Sequence, residues 1–499
     1  MKQYSQMVKV KLFHISAGKL ICVLNEIDAK ELGVRTGDRV EITNEKLGRK
    51  GVAIVDVTLD AVRENNVGLF EDIATLLKVK GNELVEIKAT PRLKSVDFIK
   101  KKMNGEKLTK QELEEIVKDI SEGRLDDIEA SAFMSAVYIR GFDLDETTSM
   151  TEALIENGDK ISFDVSPIVD KHSAGGVNGR ATMIIVPIVA SAGLYMPKTS
   201  SRSITSAAGT ADAMEVLAPV SLSFEKIKEI TKKIGGVIAW GGAVDLAPAD
   251  DKIIQIEHPL ALDPEGQVIA SVLAKKASVG SKYVVIDLPV GEFAKIKDKQ
   301  TALRMAKKFV QVGKKVGMEV EAIITNGEEP SGKAFGPALE AKHAMEILEG
   351  KRFDNLAQKS CELAGAILEL AGVSNQGQGY HKALEILKSG KALEKMKEII
   401  YAQGGRIDSS TKVILSHMTK EIKSKEDGVI QKINIKKLTT IARVAGAPAN
   451  HLAGVLLNKI EGNKVVKGET ILTIYAENER KLEAAFELAN KDKPYSLKK

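Results

Sequence analysis

The stretch that decides the fold spans residues 170–210 and reads DKHSAGGVNGR (170–180), ATMIIVPIVASAGLYMP (181–197) and KTSSRSITSAAGT (198–210). Its first part follows the apolar residues 167–169, which are typical of the end of a buried strand, and precedes a predicted helix. Gly175 lets backbone N–H groups approach an oxyanion, and the start of the helix adds the positive end of its dipole. Because Lys171 and Ser173 add a cation and a hydroxyl donor, this part predicts an anion site.

The second loop of this stretch repeats the same chemistry. Nearly all of its positions carry hydrogen-bond donors, namely Lys198, Thr199, Ser200, Ser201, Arg202, Ser203, Thr205, Ser206 and Thr210. Either loop by itself is more often a plain connection than a phosphate site. Two donor-rich loops at this separation, with Lys171 and Arg202 among their residues, favour the binding of two anions.

Composition describes an ordinary globular protein with several domains. The chain has 499 residues, of which 43% are hydrophobic and 28% charged, and this length suggests about three domains. Its 73 basic and 68 acidic side chains nearly balance, so the charge gives no sign of nucleic-acid binding. Cys22 and Cys361 are too few for a disulfide framework or a cysteine zinc site, and no apolar run approaches the roughly 18 residues of a membrane span. These features predict a cytoplasmic protein.

The first part of the chain predicts a barrel followed by helices. Residues 1–88 read as short strands, and NEIDAKELGVRTGDRVEI at 25–42 is similar to small double-psi β-barrels. We expect a structural role for this barrel. Residues 95–160 predict a small domain of three helices, the first of which begins at a capping box formed by Thr109 and Glu112.

The rest of the chain predicts an α/β domain and a cap. Strands and helices alternate over residues 165–405, as in a large α/β domain with a mixed sheet. Residues 406–499 read as a C-terminal α/β cap with a β-hairpin at 465–475. The fold class is therefore multidomain α/β. Three aspartates, Asp245, Asp250 and Asp251, are spaced closely enough to suggest a metal site. They lack histidine partners and EF-hand spacing, so we expect them to have turn and cap roles and to bind no metal.

Four motifs carry a resemblance to a known family. They are KHSAGGVNGR (171–180), PKTSSRSITSAAGTADAMEVL (197–217), DLAPADD (245–251) and IASVLAKK (269–276). In order and spacing they resemble the thymidine and pyrimidine-nucleoside phosphorylase family, and within it the archaeal AMP phosphorylase branch, over about residues 95–499. The resemblance implies reversible phosphorolysis of AMP, and also of CMP and UMP, to a free base and ribose 1,5-bisphosphate in nucleotide salvage. It implies no cofactor, inorganic phosphate as co-substrate, and a homodimer or higher homo-oligomer.

The same resemblance assigns binding residues. Those at the family's positions for the attacking phosphate are Lys171, Ser173, Ser200 and Thr210. Those at its nucleotide-binding positions are Gly175, Ser201, Arg202, Ser203, Ile204, Thr205, Ser206, Thr210, Ser271, Lys275 and Lys295. The segment 201–206 has more donors than the nucleoside branch has there, so we expect it to enclose a 5′-phosphate with Arg202. Ser271 and Lys275 lie one helical turn apart and can face one cleft, although Lys275 and Lys295 could equally be surface lysines.

The resemblance also singles out an acid. Asp263 follows HPLAL at 258–262 and precedes a turn, where an exposed turn aspartate is the alternative interpretation. The nucleoside branch has a basic residue at this position. An acid suits adenine, which leaves well when a ring nitrogen is protonated, and a desolvated carboxyl group can keep its proton near neutral pH. We therefore expect Asp263 to be the general acid, and His172 to order its loop.

Three other functions remain open at this stage. A thymidine or pyrimidine-nucleoside phosphorylase, which would give a (deoxy)ribose 1-phosphate, shares the phosphate site and is opposed by Asp263 and by the segment 201–206. An enzyme like anthranilate phosphoribosyltransferase shares the fold but needs an acidic magnesium-pyrophosphate site that the sequence does not offer. A non-enzymatic binding protein would leave both donor-rich loops unexplained.

Overall fold

The computed structural model describes residues 4–90, 92–175, 178–203, 206–243, 248–260 and 262–498. The chain divides into two compact units, one made of Met1–Asn157 with Pro248–Val268 and the other of Gly158–Ala247 with Ile269–Lys499. Among the helices in the described ranges, none is both long and apolar enough to cross a membrane.

The first unit begins with a closed barrel. Its elements are β1 (Ser5–Phe13), β2 (Ile21–Asn25), α1 (Glu26–Leu32), β3 (Arg39–Asn44), β4 (Arg49–Thr58), β5 (Asn66–Phe70), α2 (Glu71–Leu77) and β6 (Leu84–Ala89). The strands follow the order β1-β5-β2-β4-β3-β6 around the barrel. The pairs β1–β5 and β2–β4 are parallel, and the other pairs are antiparallel. Alternate residues such as Val8, Val10, Val40 and Ile42 fill the interior, as the two-residue period of a strand requires.

The rest of the first unit is helical. It contains α3 (Lys94–Met103), α4 (Lys110–Ser121), α5 (Asp127–Arg140) and α6 (Leu144–Glu156). Capping boxes begin α4, α5 and α6, and the one formed by Thr109 and Glu112 is the box predicted from the sequence. The prediction of three helices was incomplete, because α3 has only a short apolar stripe, Val96 and Ile99, beside a run of lysines.

The second unit contains the large α/β region. In chain order this part of the sequence forms β7 (Val169–Ser173), α7 (Ala181–Ser191), β8 (Met196–Ser200), α8 (Thr210–Glu215), α9 (Phe224–Ile234), β9 (Gly236–Trp240), α10 (Pro248–Leu260), α11 (Glu265–Ser278), β10 (Tyr283–Val290), α12 (Lys299–Lys315), β11 (Glu319–Asn326), β12 (Ala334–Phe335), α13 (Pro337–Leu348), α14 (Asn355–Leu370), α15 (Gly379–Lys388) and α16 (Lys391–Ala402). The helix α10 and the start of α11 belong to the first unit, where α10 packs on α4 and α5.

The strands of this region pair in parallel. The order β11-β10-β7 forms one sheet and β8-β9 another, and a bridge between Ile168 and Tyr195 links their edges. The expected mixed sheet was wrong for the described strands, because each chain crossover passes through a helix and returns in the same direction. The helix α7 is apolar on all sides and is buried from Ala181 to Ala190, so it lies in the middle of the main core.

The C-terminal part of the second unit consists of β13 (Thr419–Lys423), β14 (Gly428–Ile433), α17 (Ile435–Val444), β15 (Gly454–Leu457), β16 (Lys464–Val465), β17 (Thr470–Tyr475), α18 (Glu479–Lys491) and β18 (Tyr495–Lys498). Its antiparallel sheets follow the orders β12-β15-β17-β13 and β16-β14-β18. The hairpin predicted at 465–475 was wrong. Gly468 makes the turn at a φ of 90°, but β16 and β17 then join different sheets.

Candidate active site

The first donor-rich loop begins where β7 ends, at Ser173. In the parallel register with β10, Ser173 lies opposite Asp287, and the N–H of Ala174 donates a 2.9 Å hydrogen bond to the carbonyl oxygen of Asp287. The next residue, Gly175, has a φ of 87°, which favours glycine, and its N–H donates to the hydroxyl oxygen of Ser173 at 3.4 Å. The loop therefore leaves the carboxyl end of the strand with its direction set by β10, at the edge where ligands bind in parallel sheets.

The carboxylate of Asp287 organises this loop. It accepts hydrogen bonds from the hydroxyls of Ser173 at 2.8 Å and Thr325 at 2.5 Å. The ammonium of Lys359 lies 3.0 Å away, and that of Lys171 lies 4.0 Å away. Burial opposes ionisation of Asp287, but the two lysines and the two hydroxyls outweigh it and hold the pKa of this carboxyl below its usual value.

A second buried carboxylate, that of Asp170, directly precedes Lys171 on β7. Its oxygens are 3.1 Å from the ammonium of Lys198 and 2.8 Å from that of Lys276, and one accepts a 2.6 Å hydrogen bond from the N–H of Lys171. Burial again opposes ionisation, but the charges of Lys198 and Lys276 outweigh it and lower the pKa of Asp170. Two buried aspartates thus lie among four buried lysines, with two lysines beside each carboxylate.

Burial changes the pKa values of these lysines and of His172. Removal from water lowers the pKa of Lys171 to about 8 and that of Lys198 to about 7, although Asp287 and Asp170 respectively oppose the shift. Burial, followed by the positive charge of the surrounding lysines, puts the pKa of His172 well below its usual value. An imidazole held neutral in this way does not suit a proton donor, and the loop-ordering role expected for His172 stays a prediction.

The second donor-rich loop lies between β8 and α8. Ser200 ends β8 and donates a 3.3 Å hydrogen bond to the carbonyl oxygen of Ala239, while Thr210 begins α8. A Cβ atom at Gly209 would lie 2.5 Å from the carbonyl oxygen of Ser201, so only glycine allows the two ends of the loop to approach so closely. The structure therefore brings Ser200, Ser201 and Thr210 together.

Asp212 holds this loop in shape. Its carboxylate accepts hydrogen bonds from the backbone N–H groups of Ser203 at 2.8 Å and Gly209 at 2.7 Å, and lies 3.3 Å from the guanidinium of Arg202. Arg202 also forms two hydrogen bonds with Glu215, at 2.5 and 2.7 Å. The sequence analysis assigned no role to either acid. The feature that could have identified them is their position on the short helix α8, where Asp212 lies in the first turn and Glu215 at the end.

Arg202 and the serines have further contacts. The guanidinium of Arg202 lies over the ring of Trp240, 4.8 Å from its centroid. The hydroxyl of Ser203 donates to the carbonyl oxygen of Ser206 at 2.6 Å, and that of Ser206 donates to Ala208 at 2.9 Å. Ile204 and Thr205, which were also assigned to the nucleotide site, lie outside the described residues.

The C-terminal region contacts the same loop. Ala207 is buried in the hydrophobic core that β15, β17 and α17 share. The guanidinium of Arg443 donates a 3.1 Å hydrogen bond to the carbonyl oxygen of Ser206, and His451 lies 3.6 Å from Glu215. The loop is therefore supported from the α/β region by Asp212 and from the C-terminal region by Arg443.

The remaining predicted residues lie on or near α11 and after β10. Ser271 and Lys275 are half-buried one turn apart on α11, and the charge of Lys275 acts on His172 at the end of β7. Lys295 is exposed in the segment after β10, which a bridge between Val290 and Ile296 closes. Asp263 is exposed between α10 and α11, in the first unit.

Some members of the buried network were not found from the sequence. Asp170 and Lys276 lie inside the quoted motifs but were not assigned a role, whereas Asp287, Thr325 and Lys359 lie outside them. Asp287 interrupts the apolar strand YVVIDLPV, and a charged residue at a buried strand position is the signal that could have identified it. Thr325 and Lys359 carry no comparable signal, since either could be an ordinary surface residue.

Three family models match the chain in succession. They describe the helical bundle domain of the glycosyl transferase family at residues 96–158, the a/b domain of that family at 165–393, and the pyrimidine nucleoside phosphorylase C-terminal domain at 429–496. Among solved structures, the anthranilate phosphoribosyltransferase of Thermus thermophilus superposes with a TM-score of 0.54 at 19% identity, over 62% of this chain and 100% of that one. The corresponding enzyme of Saccharomyces cerevisiae gives 0.51 at 16%, over 63% and 99%. At these identities the likeness shows the fold alone.

Curated relatives are similar over nearly the whole length. AMP phosphorylase 1 of Archaeoglobus fulgidus is 47% identical over 96% of this chain and 95% of that protein. The AMP phosphorylase of Methanococcoides burtonii is 45% identical over 98% and 96%, and that of Methanospirillum hungatei is 46% identical over 97% and 94%. These matches confirm the resemblance read from the four motifs. With full-length relatives at this identity, the chain belongs to the AMP phosphorylase family.

Proposed function

We propose that this chain catalyses the reversible phosphorolysis of AMP, and of CMP and UMP, in nucleotide salvage. An oxygen of inorganic phosphate attacks C1′, the bond from C1′ to the base breaks, and the products are the free base and ribose 1,5-bisphosphate. The observation that carries the proposal is the ordered cation and hydroxyl site at the end of β7, where Lys171 and Ser173 converge on Asp287. The family relatives that are named AMP phosphorylase support the choice of substrate.

The attacking phosphate binds between the two loops. Lys171 and Ser173 contribute from the end of β7, and Ser200 and Thr210 from the end of β8 and the start of α8. Hydroxyls and an ammonium hold a phosphate dianion in place without forming a covalent bond to it. Fixing it beneath C1′ replaces a bimolecular encounter by a reaction within one complex, which lowers the barrier to the displacement.

The segment 201–206 encloses the 5′-phosphate of the nucleotide. Support comes from the hydrogen bonds that Asp212 accepts from the N–H groups of Ser203 and Gly209 and from the stacking of Arg202 on Trp240, which hold these described groups in place before the ligand arrives. Gly175 leaves space for the ribose to approach the first loop. Ser271, Lys275 and Lys295 bind the rest of the nucleotide.

Asp263 is the general acid in this proposal. Adenine leaves C1′ with the bonding electron pair, and a proton from the carboxyl group of Asp263 neutralises the charge that develops on a ring nitrogen. Asp263 is exposed in the structure, so the bound base would have to shield it from water for the acid to keep its proton.

Three further features belong to the proposal. We infer that the N-terminal barrel is of the double-psi type, since its two parallel pairs, β1–β5 and β2–β4, suit that topology. The C-terminal region acts as a cap, which its contacts with the loop through Ala207 and Arg443 support. The protein acts as a homodimer or higher homo-oligomer in the cytoplasm, where its two buried cysteines stay reduced.

The experiment that tests the function is phosphate-dependent release of free base from AMP and from adenosine, measured side by side. Release from AMP, with ribose 1,5-bisphosphate as the co-product, is the expected result. Release from uridine or thymidine instead of AMP would make the chain a nucleoside phosphorylase and remove the assigned roles of segment 201–206 and Asp263. No release from any of these substrates would overturn the enzymatic proposal.

A further inference from the structure

Lys359 is a buried lysine that no motif of the sequence pointed to. It lies in the first half of α14, a helix capped by Asp354 and packed against β7, β10 and β11. Its side chain is only 10% exposed. Lysine is almost never buried unless an anion neutralises it, so the position of this ammonium group needs an explanation.

The ammonium group of Lys359 converges with the predicted phosphate ligands. One oxygen of Asp287, Oδ2, lies 3.0 Å from Nζ of Lys359, 2.8 Å from the hydroxyl of Ser173 and 4.0 Å from Nζ of Lys171. These three groups come from β7 and α14 and surround the same carboxylate. Lys359 therefore lies in the same cluster as Lys171 and Ser173, although it is more than 180 residues away along the chain.

The hydrogen bonding of Lys359 is incomplete. Its ammonium is close enough to Asp287 for an ion pair, but within the described residues it has no acceptor aligned for a hydrogen bond. An ammonium group has three N–H donors, and a buried donor without an acceptor costs stability. An oxyanion beside Ser173 would supply the missing acceptor.

The positive and negative charges around Asp287 also do not balance. The single carboxylate of Asp287 faces two ammonium groups, those of Lys171 and Lys359. The nearby guanidinium of Arg180 is matched separately by Glu340, at 2.5 Å. Among the residues that the structure describes, one buried positive charge is therefore left uncompensated at the end of β7 when both lysines are protonated, and a phosphate anion would neutralise it.

We propose that Lys359 is a direct ligand of the attacking phosphate, and that with Lys171 it forms the cationic side of that site, beside the hydroxyl of Ser173. This inference rests on the proposed function, because it takes the anion to be the inorganic phosphate that attacks C1′. In this arrangement the carboxylate of Asp287 separates the two ammonium groups and orients both of them toward the phosphate. The second cation gives the site a preference for a dianion over a monoanion.

The test measures binding of anions to the full-length protein by calorimetry. Sulfate and inorganic phosphate are titrated into the wild type, Lys359→Gln and Lys359→Arg, and AMP is titrated in the absence of both anions. The matched control is Lys102→Gln, because Lys102 is also a buried lysine and pairs with Glu146 at 2.6 Å in the helical domain. Both Gln variants remove one lysine from a buried ion pair, so their thermal unfolding shows the cost of that change alone.

The loss of a charged hydrogen bond predicts that Lys359→Gln weakens sulfate and phosphate binding about ten- to a hundredfold. We expect Lys359→Arg to recover part of this loss and Lys102→Gln to leave anion binding unchanged. In Lys359→Gln the affinity for AMP should change less than about threefold, a difference too small for a lost charged contact. Unchanged anion binding in folded Lys359→Gln would overturn the proposal. Equal weakening of AMP and of the anions would also overturn it, because that result indicates a structural role.

The two proposals fail in different ways. If the wild type binds sulfate and phosphate through Lys359 but releases no base from AMP, the anion site stands and the proposed reaction is wrong. If the wild type releases adenine from AMP and Lys359→Gln has the same KM for phosphate, the reaction stands and the role of Lys359 is wrong.

Discussion

The hydroxyl of Ser173 donates a 2.8 Å hydrogen bond to the carboxylate of Asp287, which lies 114 residues further along the chain. The two residues are also direct partners in the parallel register of β7 and β10. The single proton of this hydroxyl is therefore directed at Asp287 in the protein without ligand, and the hydroxyl has to turn from the carboxylate to the anion when it donates to a phosphate. The phosphate loop thus depends on a carboxylate, although a carboxylate by itself would repel phosphate.

Substitution of this carboxylate tests its role as the counter-ion. Asp287→Asn keeps the shape of the side chain but leaves Lys171 and Lys359 without a buried negative charge. We expect the KM for phosphate to rise at least about tenfold, since buried lysines without a counter-ion lose protons more readily. The free energy of unfolding should fall by roughly 3–5 kcal/mol, the usual cost of breaking a buried pair.

A surface carboxylate serves as the control for Asp287→Asn. Glu319, at the start of β11, lies 3.6 Å from Lys282, and about half of each side chain is exposed. Exposed pairs contribute roughly 0–1 kcal/mol, so Glu319→Gln should change neither unfolding nor the KM for phosphate. A folded Asp287→Asn variant with the wild-type KM for phosphate would contradict the role of Asp287.

The protonation of Lys171 predicts a pH dependence of anion binding. Burial lowers the pKa of Lys171 to about 8 in the protein without ligand, so the cationic form is present below that pH and is lost above it. An anion binds the cationic form, and its affinity should therefore fall by up to about tenfold per pH unit as the pH rises above 8. Sulfate is the suitable ligand because its own charge does not change in this range.

Calorimetry in buffers of different ionisation enthalpy adds a second measurement. Above pH 8 the binding of sulfate should take up close to one proton, because the anion restores the charge of Lys171. Below about pH 6 the uptake should vanish. A sulfate affinity that stays constant up to pH 9.5 would show that Lys171 does not titrate in contact with the anion.

Removal of the proposed general acid should affect turnover more than binding. We expect Asp263→Asn to lower kcat on AMP at least roughly a hundredfold and to leave the dissociation constant of AMP within about a factor of two, as is typical of a lost proton donor. Asp97, which is exposed on α3 in the same unit, gives the control Asp97→Asn. Unchanged turnover in Asp263→Asn would remove Asp263 from the mechanism.

Arg202 should distinguish nucleotides from nucleosides. In Arg202→Ala the carboxylates of Asp212 and Glu215 lose their shared cation and remain beside the loop. Their charge would repel a 5′-phosphate but not an uncharged hydroxyl, so we expect AMP to bind about tenfold or more weakly and adenosine nearly as before. Dissociation constants for both ligands give the comparison. Arg480→Ala, at an exposed site on α18, is the control, and equal losses for AMP and adenosine would contradict the role of the loop.

Local chemistry made part of the site predictable from the sequence. Lys171 and Ser173 were singled out because a cation, a hydroxyl and glycines between a strand and a helix form a pattern that is local in sequence. The capping boxes of the helical domain are predictable for the same reason, since both partners of each box lie three residues apart. Patterns of this kind need no knowledge of the tertiary fold.

The partners that determine the charge of the site could not be found in this way. Thr325 and Lys359 reach Asp287 only because β11 and α14 pack beside β10, and neither has a distinctive neighbourhood in sequence. The incorrect prediction of a hairpin at 465–475 has the same cause, because it too depended on partners that are distant in sequence. Its turn at Gly468 is local and correct, but the choice of partner strands depends on β14 and β13, which lie elsewhere in the chain.

The position of Asp287 has a consequence for how the protein is made. A growing chain that has reached residue 280 already contains the four phosphate ligands that the sequence motifs predict, Lys171, Ser173, Ser200 and Thr210. It does not yet contain β10, β11 or α14, which bring Asp287, Thr325 and Lys359 to the loop. The phosphate site is thus completed late in synthesis, and a truncated product that retains the whole glycine-rich motif would still lack the groups that set its charge.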